Sequence, residues 1–319
     1  MAFARTNSNM EHLVRSEIWS QQLKEILRDE LMGTGYVRWL DEFPDGDTFT
    51  IPSIGQASVR DYNENEPIVY DAMDTGEFQF QITEYLSSAS YITRKARQDA
   101  FYSAQLEAKF VPEQQRAIME HVESNVFSLH GQQTLGDLNS INDAPHRFVA
   151  GGADEVMAVS DFAKAMYSLK KAHVPQSQMI GIVDPAVEYT LNTLTELVNV
   201  SNNPRWEGIV HDGIATGMRF VKNVYGFDVY TSNYLDGGID ETIDGDAITD
   251  GVANVFFSAA GGDLLPFIGA WRQMPIVDSE YNKDKQREEY VTTARYGVKL
   301  YRPENLVTIL SKAPAELTA

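Results

Sequence analysis

At 319 residues, 43% of them apolar and 23% charged, the chain exceeds one ordinary hydrophobic core and has the composition of a folded protein, not a disordered one. It has no Cys, which excludes disulfides, thiolate metal sites and a cysteine nucleophile, and suits a reducing cytosol. Lys+Arg 26 against Asp+Glu 46, a net charge of -20, leaves no positive field to hold a phosphate backbone and argues against a sequence-reading nucleic-acid binder.

No stretch is apolar over the length of a membrane span, and the opening Met-Ala-Phe-Ala-Arg lacks the apolar core of a secretion signal, so a soluble protein made in a cytoplasm is expected. The first predicted element is an amphipathic helix over 10–32. Its apolar face carries Met10, Leu13, Val14, Ile18, Trp19, Leu23, Ile26 and Leu27, with Gly33 and Gly35 as its stop. Such a face must be covered by the body, a neighbouring copy or a partner.

After the turn signal Pro44-Asp45-Gly46, strict alternation begins. Phe49 and Ile51 alternate with Thr48 and Thr50, and Phe78, Phe80 and Ile82 with Gln79, Gln81 and Thr83. Asn63-Glu64-Asn65-Glu66-Pro67 and Asp74-Thr75-Gly76 read as turns between strands of a half-buried antiparallel ribbon. Residues 94–110 and 112–130 then read as two helices, or one with a kink, Pro112 fitting a first helical turn. Ile118, Val122, Val126 and Leu129 form one stripe that Gly131 can end.

From Gly151 the pattern shortens into an α+β lobe. Ser160 is the expected cap of a helix carrying Phe162, Met166 and Leu169, which stops before Pro175. A buried strand is predicted at 180–183, followed by a helix that starts at Asp184-Pro185 and carries Val187, Leu191 and Leu194. Strands are predicted at 220–224, 227–232 and 252–258, and an extended closing segment at 290–310.

Candidate chemistry is thin. Asp240, Asp244 and Gly245, in the acidic loop 236–251, fall near calcium-loop spacing. However, Thr242 takes one ligand position, and Gly251 stands where a bidentate Glu is needed, so a solvated turn-rich loop is the stronger reading. His121 and His130 are nine positions apart and cannot face one ligand as an i, i+4 pair does. Acidic residues are so abundant that any chosen catalytic pair is arbitrary, and phosphate-loop, nucleophile-elbow and dinucleotide fingerprints are absent. Trp19, Trp39, Trp206 and Trp271 show no stacking periodicity and read as packing residues. No catalytic, cofactor-binding or metal-ligating residue is therefore expected, and no enzyme.

The order of arm, β-ribbon, long helix, inserted α+β lobe and closing strands resembles the major capsid proteins of tailed bacteriophages, with the Hong Kong 97-type fold. The likeness rests on Phe78-Gln79-Phe80-Gln81-Ile82-Thr83, Arg97-Gln98-Asp99-Ala100-Phe101-Tyr102, Gln114-Gln115-Arg116-Ala117-Ile118, Gly226-Phe227-Asp228-Val229-Tyr230-Thr231-Ser232-Asn233 and, above all, Tyr296-Gly297-Val298-Lys299-Leu300-Tyr301-Arg302-Pro303-Glu304. It covers nearly the whole chain, and the order of the motifs carries more weight than any one of them.

The resemblance implies an α+β fold with an N-terminal arm (1–45), an extended β-loop (46–95), a peripheral domain with a spine helix (96–150, completed by 276–319) and an axial domain (151–275). It implies self-assembly as pentamers and hexamers into an icosahedral shell around double-stranded viral DNA, in a virion assembled in the host cytoplasm. A separate scaffolding protein is expected, because the arm is short for a fused one, together with a portal protein and room for a decoration protein. No membrane partner is implied. Some members lock the shell with a Lys–Asn isopeptide bond, but here no Lys lies between Lys24 and Lys95. Arg60 and Arg94 cannot replace the amine, since a guanidinium stays protonated. An encapsulin-type shell of the same fold and an acidic soluble hydrolase are the alternatives.

Overall fold

A computed structural model describes residues 31–40, 48–54, 64, 75–99, 103–135, 139–193 and 220–318, all within the unit Leu31–Ala319. The helix expected over 10–32, the turn at Pro44-Asp45-Gly46 and Leu194 lie outside the described residues, except Leu31 and Met32, which are not helical. Gly33 and Gly35 belong to a 3-10 turn, Gly33–Tyr36.

Alternating apolar residues build two larger sheets. One has the order β1 (Val37–Leu40), β13 (Phe267–Asn282), β14 (Arg287–Leu300), β4 (Glu84–Thr93), with β1 parallel to β13 and the other pairs antiparallel. The other has the order β7 (Arg147–Val149), β15 (Val307–Ser311), β12 (Asp246–Ser258), β8 (Met179–Val183), β10 (Phe227–Thr231), β9 (Phe220–Val224). A further strand, β11 (Ile239–Ile243), pairs with the outer part of β12. β2 (Thr48–Ile54) and β3 (Thr75–Gln81) form a two-stranded ribbon, and β5 (Ser140–Ile141) pairs with β6 (Ala144–Pro145).

Among the described residues the helices are α1 (Arg94–Asp99), α2 (Ser103–Ser128), α3 (Gln132–Leu135), α4 (Val159–Lys171), α5 (Pro185–Thr193) and α6 (Ala315–Thr318). The mixture is the α+β class the sequence predicts.

The larger sheet is apolar on both faces, which is why Met-Ile-Gly-Ile-Val of β8 is buried at every position. On one side Val183 and Phe256 pack with Phe162 and Leu169 of α4 and with Val187 and Leu191 of α5. On the other, Ile180, Ile182 and Phe257 pack with Val122 and Val126 of α2 and with Phe267 and Tyr296 of the four-stranded sheet. One apolar cluster thus runs from sheet to sheet through the long helix.

Several expectations need correction. The reading as two helices that part at Pro112 is overturned, and the alternative of a single helix holds. Ser103–Ser128 is one helix with the proline inside it. Pro112 is exposed, so water can serve the carbonyl that loses its donor, and the buried stripe on the other face holds the helix together. Gly131 does not end the helical path, because a 3-10 turn, Leu129–Gly131, leads into α3. Thr75 and Gly76 are strand residues paired with Ile54 and Ser53, not a turn.

Ser160 is not the cap of α4. Ala158 occupies that position, and the Asp161 carboxylate accepts the N–H groups of Ala158 (2.8 Å) and Gly151 (3.1 Å). Burial pushes Asp161 up from the usual carboxylate value, and these N–H bonds partly offset it. Pro185 does start α5, with Asp184 Oδ2 accepting the Ala186 N–H at 2.8 Å. The 16-residue β13, for which no strand is predicted, is the centre of the four-stranded sheet.

Candidate functional site

The long helix α2 lies across β14 and β4, and three polar residues register it there. The stripe of Ile118, Val122, Val126 and Leu129 is buried as predicted. Near its start, buried Gln114 donates from Nε2 to Ser90 Oγ (2.6 Å), while its Oε1 accepts from Thr292 Oγ1 (2.7 Å). Two strands are thereby tied to one helical position. Near its end, Asn125 Nδ2 donates to the Tyr296 hydroxyl at 2.6 Å, and burial pushes the Tyr296 phenol up to about 12.

The third residue is Glu123, fully buried on the same helix. Its carboxylate accepts three consecutive backbone N–H groups, those of Met32 (2.7 Å), Gly33 (2.5 Å) and Thr34 (2.9 Å). A Cβ at Gly33 would sit 2.8 Å from the Phe127 ring, so only glycine allows the approach. Trp39 continues the anchorage, donating from Nε1 to Thr34 O (3.0 Å) and stacking on Trp271 at 5.2 Å. Residues 32–34 are therefore held at a defined point on the helix.

The ribbon β2–β3 is attached to the body at its base. Its register sets Phe49 opposite Phe80 and Ile51 opposite Phe78, putting the predicted apolar residues on shared faces. Phe80 is fully buried with Ile82, Ile268 and Ala270, and Phe78 meets Tyr301 edge to face at 5.0 Å. Lys299 Nζ donates to Gln79 O at 2.9 Å. A Cβ at Gly297 would lie 2.8 Å from Gln81 O, so this glycine admits the ribbon backbone against β14. Among the described residues β2 and β3 pair with no other strand, and a two-stranded ribbon alone is marginal in water.

Beyond the ribbon, large apolar side chains stand exposed on the four-stranded sheet. They are Tyr85 (65%) and Tyr91 (57%) on β4, and Met274 (66%), Ile276 (50%) and Tyr281 (42%) on β13.

The residues singled out for chemistry do not converge. Asp240, Asp244 and Gly245 lie in a β-hairpin, not a loop, since β11 and β12 pair directly through a two-residue turn at Asp244-Gly245, both with positive φ. Asp240 Oδ1 accepts the Asp250 N–H at 2.9 Å. Thr242 and Gly251 are strand residues within the same pairing. No group of three His, Asp or Glu among the described residues is arranged to hold a metal.

His121 is exposed, whereas His130 is buried, with Nε2 3.0 Å from Asp236 Oδ2. Burial holds His130 below the ordinary imidazole value, and the nearby Arg147 charge adds to this against the pull of Asp236. Arg147 itself is buried and pairs through both terminal nitrogens with Glu241. The arrangement ties the hairpin to the body.

Sequence reasoning missed Glu123, Gln114 and Gly297. The first was accessible, because a carboxylate beside Val122, Val126 and Phe127 interrupts an otherwise apolar stripe. The other two depend on partners distant in the chain.

A family model described as phage capsid protein matches residues 76–309. Among solved structures, the chain is similar to the Cyanophage Pam1 capsid (12% identity, 98% of this chain and 99% of that one, TM-score 0.72). It is similar to the Cyanophage P-SCSP1u capsid (14%, 96% and 94%, TM-score 0.70) and to a Mycobacterium phage Che8 chain (16%, 94% and 97%, TM-score 0.65). No curated protein matches the chain in sequence.

Proposed function

The chain belongs to the phage capsid protein family, and we propose that it assembles as pentamers and hexamers into an icosahedral shell around double-stranded viral DNA. It is a capsid protein and its place is the virion. The observation that carries the assembly reading is the ribbon β2–β3, held by the body at its base and, among the described residues, paired with no further strand. Burial on a neighbouring copy would supply the stability that a lone ribbon lacks.

Each copy would offer its ribbon to one neighbour and the exposed apolar face at Tyr85, Tyr91 and Ile276 to another. Contacts of this head-to-tail kind close into rings, and the rings tile a finite shell. In this reading 1–45 is the N-terminal arm, 46–95 the extended loop, 96–150 with 276–319 the peripheral domain, and 151–275 the axial domain around the five- and six-fold axes. The net charge of -20 suits a wall that must release DNA as readily as it admits it. The role is structural, not enzymatic. A separate scaffolding protein, a portal protein and a decoration protein complete the proposed partners, with assembly in the host cytoplasm.

Negative-stain microscopy of the expressed protein, with and without a co-expressed scaffolding protein, tests the reading. Closed shells of uniform diameter are expected. A protein that stays monomeric under both conditions overturns it.

A further inference from the structure

Within this acidic chain, cations collect at one end of the four-stranded sheet, where Thr93 pairs with Arg287. Over 94–97 and 282–289, six cationic side chains stand against three carboxylates. Two of those carboxylates are engaged, Glu288 with Arg97 at 2.6 Å and Glu289 with Arg287 at 2.5 Å. Arg94 is exposed. Its backbone N–H is held by Gln286 O at 2.9 Å, but its guanidinium has no carboxylate partner among the described residues.

Here a groove of about 320 Å³ opens, lined by Ile92, Arg94, Arg97, Gln98, Tyr281 and Glu288. It offers guanidinium groups between an aliphatic and an aromatic wall. Its counterpart in charge and character is elsewhere in the same sequence. Over 61–74 there are five carboxylates and no Lys or Arg, interspersed with Tyr62, Ile68, Val69 and Tyr70. Glu64, in that stretch, is an exposed turn residue.

We propose that the groove at Arg94 and Arg97 receives the acidic 61–74 segment of a second copy, an inference that rests on the reading of the chain as a shell subunit. In sequence the segment lies between β2 and β3, and β3 joins β4 at Glu84, the strand end opposite the groove. Nine residue steps of β4 separate Glu84 from Thr93, about 30 Å of strand. Docking in trans lets every copy give one acidic segment and receive one, a contact that repeats around a closed ring. Opposite charges also steer the encounter and reject a wrong register.

Two charge-reversed proteins test this, Arg94→Glu/Lys95→Glu for the groove and Glu64→Lys/Glu66→Lys for the segment, each scored for shells by microscopy and for folding by thermal melting. Each alone should cut shell yield about tenfold with its melting unchanged. All four changes in one chain should restore shells, and co-expression of the two variants should restore them in part. Binding of a labelled 60–74 peptide to the unassembled subunit gives a second measurement. It should weaken about tenfold on raising salt from 0.05 to 0.5 M and be lost in the groove variant.

Normal shells from the groove variant overturn the proposal, as does peptide binding that ignores Arg94→Glu/Lys95→Glu. Restoration by the four-change chain with none on co-expression overturns docking in trans and places the segment in its own chain's groove. Normal shells that lose only their DNA overturn it in favour of a phosphate contact. Absence of shells from the unaltered protein would instead remove the shell reading itself, with the peptide result still deciding whether the groove binds the segment.

Discussion

Glu123→Ala should release the chain's entry point from the long helix without unfolding the body. The carboxylate serves three amides, at 2.7, 2.5 and 2.9 Å. Hydrogen bonds to a charged acceptor contribute roughly 1.5–3 kcal/mol each, and buried amides left without an acceptor lose a similar amount. Only the Gly33 amide bond is fully buried, and water can partly serve Met32 and Thr34. A total of about 3–5 kcal/mol is therefore expected, taken locally.

Hydrogen exchange reads this directly. At tenfold per 1.4 kcal/mol, the Gly33 and Thr34 amides should exchange at least about 100-fold faster, while amides of the 179–183 strand stay protected. Trp39 should report the same event by a red-shifted emission, since its indole N–H is held by Thr34 O. Glu123→Gln, which keeps one carbonyl acceptor but turns an NH2 group toward the amides, should fall between the two. Unchanged exchange at Gly33 and Thr34 in Glu123→Ala would refute the anchoring role.

Deleting 61–71 should leave a folded, soluble subunit that forms no closed shells, because the contacts that hold the ribbon to the body are at its base, outside the deletion; normal particles from the deletion would count against an assembly role. Mature particles boiled in detergent should run as single chains near 35.7 kDa, with neither a Lys between Lys24 and Lys95 nor any Cys to link them, and a ladder surviving reductant would disprove this. Burial keeps His130 and His146 below the ordinary imidazole value. The fold therefore holds them neutral while unfolded His gains protons below about pH 6.5. Stability should be full above that pH and fall as pH drops through it, by at most about 1.4 kcal/mol per unit per His. Asp161, pushed up by burial, acts in the opposite sense and only near the carboxylate range. A melting temperature that does not move between about pH 7.5 and 5.5, or a slope unchanged in His130→Gln/His146→Gln, would contradict the assignment.

What could be read from the sequence alone was whatever repeats at short range. Alternation at 48–51 and 78–82 marked the ribbon, and the i, i+4 stripe through Ile118, Val122 and Val126 marked the face of the long helix. The continuous apolar run 180–183 marked a strand covered on both faces. The order of these elements was enough for the family. Interruptions were harder to judge. Pro112 looked like a boundary because its local cost is about 3 kcal/mol, and packing along the opposite face of α2 outweighs that cost. The acidic stretch around Asp244 looked like a loop because its composition is turn-rich, yet pairing with β12 makes most of it strand.

Tertiary structure alone decided the rest. β13 reads weakly by itself, since Pro275 and the polar residues Arg272, Gln273 and Asp278 break up its apolar pattern, and it is a strand because β14 pairs along it. Gln114 matters through Ser90 and Thr292, Glu123 through residues about ninety positions earlier, and Gly297 through the backbone of Gln81. The groove at Arg94 exists because the strand pairing brings 94–97 beside Tyr281 and Glu288. Periodicity records which way a side chain faces, because that is set by the backbone a few residues on either side. Which partner it meets is set by chain closure over tens to hundreds of residues, and no local pattern carries that distance.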